Sequence, residues 1–139
     1  MLTQEENELF TRVGPGTPGG QLLRRYWHVV GAASELSAAK PKKRLRVLGE
    51  DLVLFRDQSG AYTLVGEHCS HRGASLYYGF IEPDGIRCAY HGWKYDTQGR
   101  CIDIPSEPAE SKLCDRVKLS AYPLIERGGV IWIYMGEPE

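Results

Sequence analysis

Three of the four histidines and two of the four cysteines in this 139-residue chain fall in one stretch, HCSHRGASLYYGFIEPDGIRCAYHGW, running from His68 to Trp93. A catalytic thiol needs one cysteine and one base, and a disulfide needs cysteines alone. Neither calls for a Cys–His pair that recurs, first as Cys69 and His71 and again as Cys88 and His91. Four donors of two kinds point to a metal, so the fold has to bring two short clusters, with sixteen residues between them, to one place. In an extended chain residues i and i+2 share a side, which lets Cys69 and His71 aim at one object while His68 and Ser70 face away. Cys88 and His91 span a tighter turn, helped by Gly92. Pro83, Asp84 and Gly85 between the clusters are turn residues that fold the connection back, placing both loops at one end of a sheet.

The rest of the chain supplies that sheet. Trp27 to Gly31, Leu45 to Leu48, Leu52 to Phe55 and Ala61 to Val65 are rich in branched and aromatic residues and are separated by GED and DQSG turns. Lys94 to Asp96 and Cys101 to Asp103 flank Thr97, Gln98 and Gly99, and Val130 to Tyr134 follows a Gly128–Gly129 turn. Spacing this close predicts antiparallel hairpins, and no strand-helix-strand unit calls for a parallel sheet. Two short helices precede the strands. Thr3 with Glu6 forms a capping box ahead of Leu9, Phe10 and Val13, and Gly14, Pro15 and Gly16 stop that helix. Thr17 caps a second, with Pro18 at its first position and Leu22 and Leu23 expected on the inward side. The chain therefore divides into an N-terminal helical segment, 1–26, and a mainly β domain, 27–139. Ile104 to Glu110 is expected to be a surface loop.

Composition narrows the partners. No apolar run is long enough to cross a bilayer. The N-terminus MLTQEENELF lacks the basic and apolar regions of a secretory signal, so a cytoplasmic location with reduced thiols is expected. A net charge of −1 offers no general field for nucleic acid. The one basic run, Lys40 to Arg46, reads as polar surface.

Zinc accepts two cysteines and two histidines, but its common pattern groups cysteines together and histidines together. The alternating order instead matches a [2Fe–2S] cluster of Rieske type, in which two thiolates hold one iron and two imidazoles the other. CSHRG with CAYHGWKYD resembles the CxHRG and CxYHGW loops of the Rieske domain in ring-hydroxylating non-haem iron oxygenases, and ENELFTRVGPGTPGGQLLRRYWHV resembles the opening of their phthalate-dioxygenase-like group. Ser70 and Ala89 stand where many relatives carry proline, which touches no donor atom.

The resemblance implies a Rieske-type antiparallel β-sandwich with two cluster-binding loops. It implies Cys69, His71, Cys88 and His91 as cofactor and metal ligands, electrons arriving from a reductase or ferredoxin, and a mononuclear-iron catalytic domain as their acceptor. Aromatic catabolism is the implied setting. Oxygen activation in that family uses two further histidines and a carboxylate. Only His28 and His68 remain here, so this stretch is expected to carry electrons and not to hydroxylate substrate by itself. A free-standing Rieske ferredoxin and a structural zinc module are the alternative readings. Respiratory-chain relatives add a disulfide between the loops and a hydroxyl donor after the second histidine-glycine. Here those positions read Ala74, Tyr90 and Trp93, which predicts a reduction potential at the low end of the Rieske range. Arg72, Gly73 and Trp93 are expected to shape and pack the loops. Tyr95 is either a core aromatic or one whose hydroxyl reaches the sulfur of Cys69 or Cys88. Cys101 and Cys114 read as inert thiols, and His28 as a packed or surface histidine.

Overall fold

A computed structural model describes residues 1–137; the last two positions of the expected 27–139 domain lie outside the described residues. Two short helices open the chain, α1 (Gln4–Thr11) and α2 (Pro18–Leu23), followed by eleven strands. The Thr3 hydroxyl accepts from the Glu6 N–H at 3.2 Å and the Glu6 carboxylate accepts from the Thr3 N–H at 2.8 Å, which closes the expected capping box. The inward placement of the helix leucines does not hold. Leu22 is 56% exposed, Leu23 only half-buried, and α1 buries no side chain. The reason lies in Gly20, the buried residue of α2: a Cβ there would sit 2.3 Å from the Gly14 carbonyl oxygen. The tight face of α2 is therefore packed backbone against backbone, with Leu22 turned outward and Leu23 only partly covered.

The strands are β1 (Trp27–Ala32), β2 (Lys42–Val47), β3 (Glu50–Arg56), β4 (Tyr62–Gly66), β5 (Phe80–Glu82), β6 (Gly85–Arg87), β7 (Lys94–Asp96), β8 (Cys101–Asp103), β9 (Ala121–Tyr122), β10 (Leu124–Arg127) and β11 (Val130–Tyr134). They form three antiparallel sheets, ordered β1-β11-β10, β2-β3-β4-β9 and β5-β6-β7-β8. The basic run enters β2, an edge strand, where Lys43, Arg44 and Arg46 pair with Glu35, Glu67 and Asp51.

The middle sheet explains the architecture. The run Leu52-Val53-Leu54-Phe55 is fully buried along β3, so neither face of that strand meets water. Alternate side chains part to opposite sides. Leu52 and Leu54, with Leu64 of β4, pack on Ile131 and Ile133 of β11, closing a sandwich. Val53 and Phe55, with Val65, pack instead on Leu76, Ile86, Tyr95, Cys69 and Cys88. One strand thus floors two cores, one holding the sandwich together and one holding the Cys–His loops. The third sheet is continuous in sequence and lies between β4 and β9, which pair directly through Leu64–Tyr122 and Val65–Ala121.

Candidate metal centre

The two Cys–His segments are two copies of one loop. A bridge between His68 and Ser75 closes residues 69–74, and the pairing of Arg87 with Lys94 closes residues 88–93 as the turn between β6 and β7. In the first, the Cys69 N–H donates to the Ala74 carbonyl at 2.9 Å and the Gly73 N–H to the Cys69 carbonyl at 2.8 Å. In the second, the Cys88 N–H donates to the Trp93 carbonyl at 2.8 Å and the Gly92 N–H to the Cys88 carbonyl at 3.1 Å. Gly73 and Gly92 hold φ of 73° and 78°, a backbone state open to glycine at little strain. The first cluster is therefore a turn, not the extended segment its i, i+2 spacing suggested. A shared Cys-x3-Gly spacing was the sequence signal for this equivalence.

Within these loops the donors separate by depth. Cys69 and Cys88 are each 3% exposed and belong to the inner core, whereas His91 is exposed and His71 half-buried. The two imidazoles meet edge to face with ring centroids 4.6 Å apart, and the buried Trp93 stacks on His71 at 4.7 Å. Tyr90 leans on His91 at 3.8 Å. His71 Nδ1 is buried and has no hydrogen-bond partner. Burial, with His91 and Arg72 nearby, pushes the His71 pKa down and keeps the ring neutral and ready to donate a lone pair. Burial also raises the Cys69 thiol, against the Tyr95 hydroxyl and the His71 N–H that favour its thiolate; Cys88 nearby adds to the rise.

Tyr95 is a core aromatic and a sulfur contact at once. It is fully buried, its oxygen accepts from the Ser70 N–H at 3.1 Å, and its hydroxyl lies 3.2 Å from the Cys69 sulfur. Toward a thiol either group can donate, whereas toward a thiolate sulfur only the Tyr95 hydroxyl can.

Among the described residues no three His, Cys, Asp or Glu side chains form a cage around a single ion. A two-iron group asks only two protein donors of each iron. An orphaned imidazole nitrogen beside a second imidazole, and two sulfurs in the core beneath, fit that demand. The other two histidines are engaged elsewhere: His28 Nε2 meets the Leu23 carbonyl at 2.7 Å, and His68 Nδ1 meets the Gly73 carbonyl at 3.1 Å.

Each loop is also braced by charge, through residues that the sequence alone did not single out. Buried Glu67 accepts from the Ser75 hydroxyl at 2.5 Å and pairs with Arg44 at 2.9 Å, below the first loop. Arg87, next to Cys88, reaches the Gly92 carbonyl at 2.7 Å, Asp103 of β8 at 2.7 Å and Glu82 of β5 at 2.6 Å. Lys94 adds a contact to Glu82 at 2.7 Å. Arg87 and Lys94 together hold the Glu82 carboxyl down to about 2. A depressed acid stabilises the fold while ionised, so this contribution is complete above the ordinary carboxylate range and is lost as pH falls from about 4.5 through about 2. Thermal melts across that acid range should show a shallower decline for Glu82→Gln than for the unmutated chain. An equal decline would assign the acid limb to other carboxylates.

Residues 26–123 match the Rieske [2Fe-2S] domain family. The chain is 48% identical to the 5,5'-dehydrodivanillate O-demethylase oxygenase subunit of Sphingobium sp. strain SYK-6, covering 98% of this chain and 32% of that protein. It is 47% identical to the phthalate 4,5-dioxygenase oxygenase subunit of Pseudomonas putida, covering 98% and 31%. One chain from a structure of the oxygenase–ferredoxin complex of carbazole 1,9a-dioxygenase superposes with a TM-score of 0.72 at 32% identity, over 84% of this chain and 30% of that one. The chain thus spans about a third of the length of these curated relatives. Matching loops, mixed donors and family agree: the chain belongs to the Rieske [2Fe-2S] domain family, whose cofactor is a two-iron, two-sulfide cluster.

Proposed function

We propose that Cys69 and Cys88 hold one iron through sulfur and that His71 and His91 hold the other through ring nitrogen. In this reading residues 27–139 form the electron-transfer domain of an aromatic-ring-hydroxylating oxygenase, and 1–26 its helical lead-in. The observation that carries the assignment is His71 Nδ1, buried and unpartnered beside His91. An unsatisfied buried nitrogen is costly in a finished core, and a metal bond removes the cost. The bound cluster supplies one-electron storage and transfer. Around it, Trp93 fixes the plane of the His71 ring, the core keeps water from both sulfurs, and Tyr95 offers its proton to Cys69.

Similarity to the two oxygenase subunits extends over 98% of this chain, α1 and α2 included, which favours an oxygenase domain over a free-standing ferredoxin. Electrons would come from a reductase or ferredoxin, as the complex formed by the carbazole relative suggests, and pass from the exposed imidazole end to a mononuclear-iron catalytic domain. A cytoplasmic location suits cysteines that must stay reduced to bind iron. Among the described residues no helix is long and apolar enough to cross a membrane.

Low-temperature EPR of the dithionite-reduced protein tests the ligand set. The expected average g is that of a mixed sulfur–nitrogen centre, and His71→Cys should shift it toward the all-thiolate value or abolish the signal. An all-thiolate average in the unmutated protein would remove the histidines from the assignment. Tyr95→Phe provides a second measurement. A hydrogen bond to the sulfur favours the added negative charge, so its loss should lower the potential. About 1–2 kcal/mol of redox-dependent strength corresponds to on the order of 40–90 mV for one electron. Protein-film voltammetry reads this directly, and the unmutated value is expected near the low end of the roughly −150 to +300 mV Rieske span. An unchanged potential in Tyr95→Phe would show that the hydroxyl proton points elsewhere.

A further inference from the structure

Two thiols remain outside the loops, and the fold sets them side by side. Cys101 lies on β8, opposite Tyr95 of β7, and Cys114 begins a single helical turn, Cys114–Arg116. Their sulfurs are 2.8 Å apart. A bonded pair stands at about 2.0 Å, so closure asks for under about 1 Å of travel. The backbone holds both ends: the Cys101 N–H donates to the Val117 carbonyl at 3.1 Å, and the Val117 N–H to the Cys114 carbonyl at 3.1 Å. Burial and the neighbouring Cys114 push the Cys101 thiol up to about 12, which would make it inert on its own. Cys114 is half-buried and reachable from solvent. Between them the chain runs as a strap, anchored by buried Ile104 and exposed from Pro105 to Glu110, whose Pro105 lies against the second loop, where a Cβ on Gly92 would meet its ring at 3.1 Å.

We propose that Cys101 and Cys114 are a redox-active dithiol that closes to a disulfide when the protein meets a low-molecular-weight disulfide, stapling this strap at its base. Cys114 as thiolate attacks one sulfur of the reagent, forming a mixed disulfide and releasing the first reagent thiolate, which takes up the proton that Cys114 lost. The Cys101 sulfur then attacks the Cys114 sulfur, the second reagent sulfur leaves, and the proton of Cys101 departs with it. Two protein thiols and one reagent disulfide become one protein disulfide and two reagent thiols. In a reducing compartment the dithiol is the resting form and the disulfide marks oxidative exposure.

The test uses the cluster-loaded protein, pre-reduced, then incubated with oxidised glutathione, alkylated and mapped by mass spectrometry. The expected product is two hydrogens lighter, carries no lasting glutathione and yields a Cys101 peptide linked to a Cys114 peptide. Cys101→Ser should instead accumulate glutathione on Cys114, and Cys114→Ser should accumulate none. If either variant fails to fold, the peptide map of the unmutated chain still decides. Closing so short a loop should raise the melting temperature on the order of 5–10 °C, reversed by dithiothreitol. Full alkylation of both cysteines after the incubation, or glutathione left unresolved on Cys114 of the unmutated chain, would overturn the proposal.

Discussion

Cys88→Ser is expected to give a colourless protein with iron and acid-labile sulfide reduced roughly tenfold or more. A serine hydroxyl stays protonated at neutral pH and is a hard donor, so it replaces the shape of the thiolate without its charge or its softness. The effect should be confined to the inner core. Cys88 lies among Ile86, Trp93 and Tyr95, away from Ile131 and Ile133, which close the sandwich. Circular dichroism should therefore keep its strand signature while the visible bands vanish. Cys114→Ser, remote from the loops in sequence and in hydrogen bonding, should retain its cluster. Full cluster occupancy in Cys88→Ser would remove this residue from the ligand set.

A pair of neighbouring truncations in β3 should separate the two cores. Phe55→Ala removes a fully buried ring from the core beneath the loops, at a cost of about 3–5 kcal/mol, and Leu54→Ala removes a buried side chain on the opposite face for about 2–5 kcal/mol. Both are large fractions of an ordinary domain's stability of about 5–15 kcal/mol. Their consequences should differ in kind. The first undercuts Leu76, Ile86 and Tyr95, so the visible chromophore should be lost at a lower urea concentration than the strand signal. The second loosens the sandwich, and the two signals should fall together. Coincident transitions in both variants would mean that the two cores unfold as one.

Strands with turn chemistry at both ends were legible from sequence, and those at 94–96, 101–103 and 130–134 have the expected limits. β5, β6, β9 and β10 were not: in segments of two to four residues a period of two does not stand out, and β7 and β8, equally short, were legible only through the Thr97-Gln98-Gly99 turn between them. β2 begins earlier than its branched residues suggested, since pairing along β3 recruits the lysines before them. The four donor residues were visible as residue types at a spacing. The braces were not: Arg87 finds its partners at Glu82, Gly92 and Asp103, a convergence that exists only once β5, β6, β7 and β8 have assembled into one sheet. Cys101 and Cys114 show the same limit, since nothing in their spacing announces that their sulfurs touch.

The direct pairing of β4 with β9 means that the polypeptide leaves for the metal-binding region and returns at adjacent points, with the Gly66 N–H donating to the Ser120 carbonyl at 2.8 Å. Topologically that region is a cassette, and a tight turn at this doorway would complete the remaining sheet. What resists its removal is the underside it covers: excised, it would leave Val53, Phe55 and Val65 facing water. Transplanting the cassette onto another β scaffold therefore requires a recipient strand that is apolar on its outer face as well as its inner one.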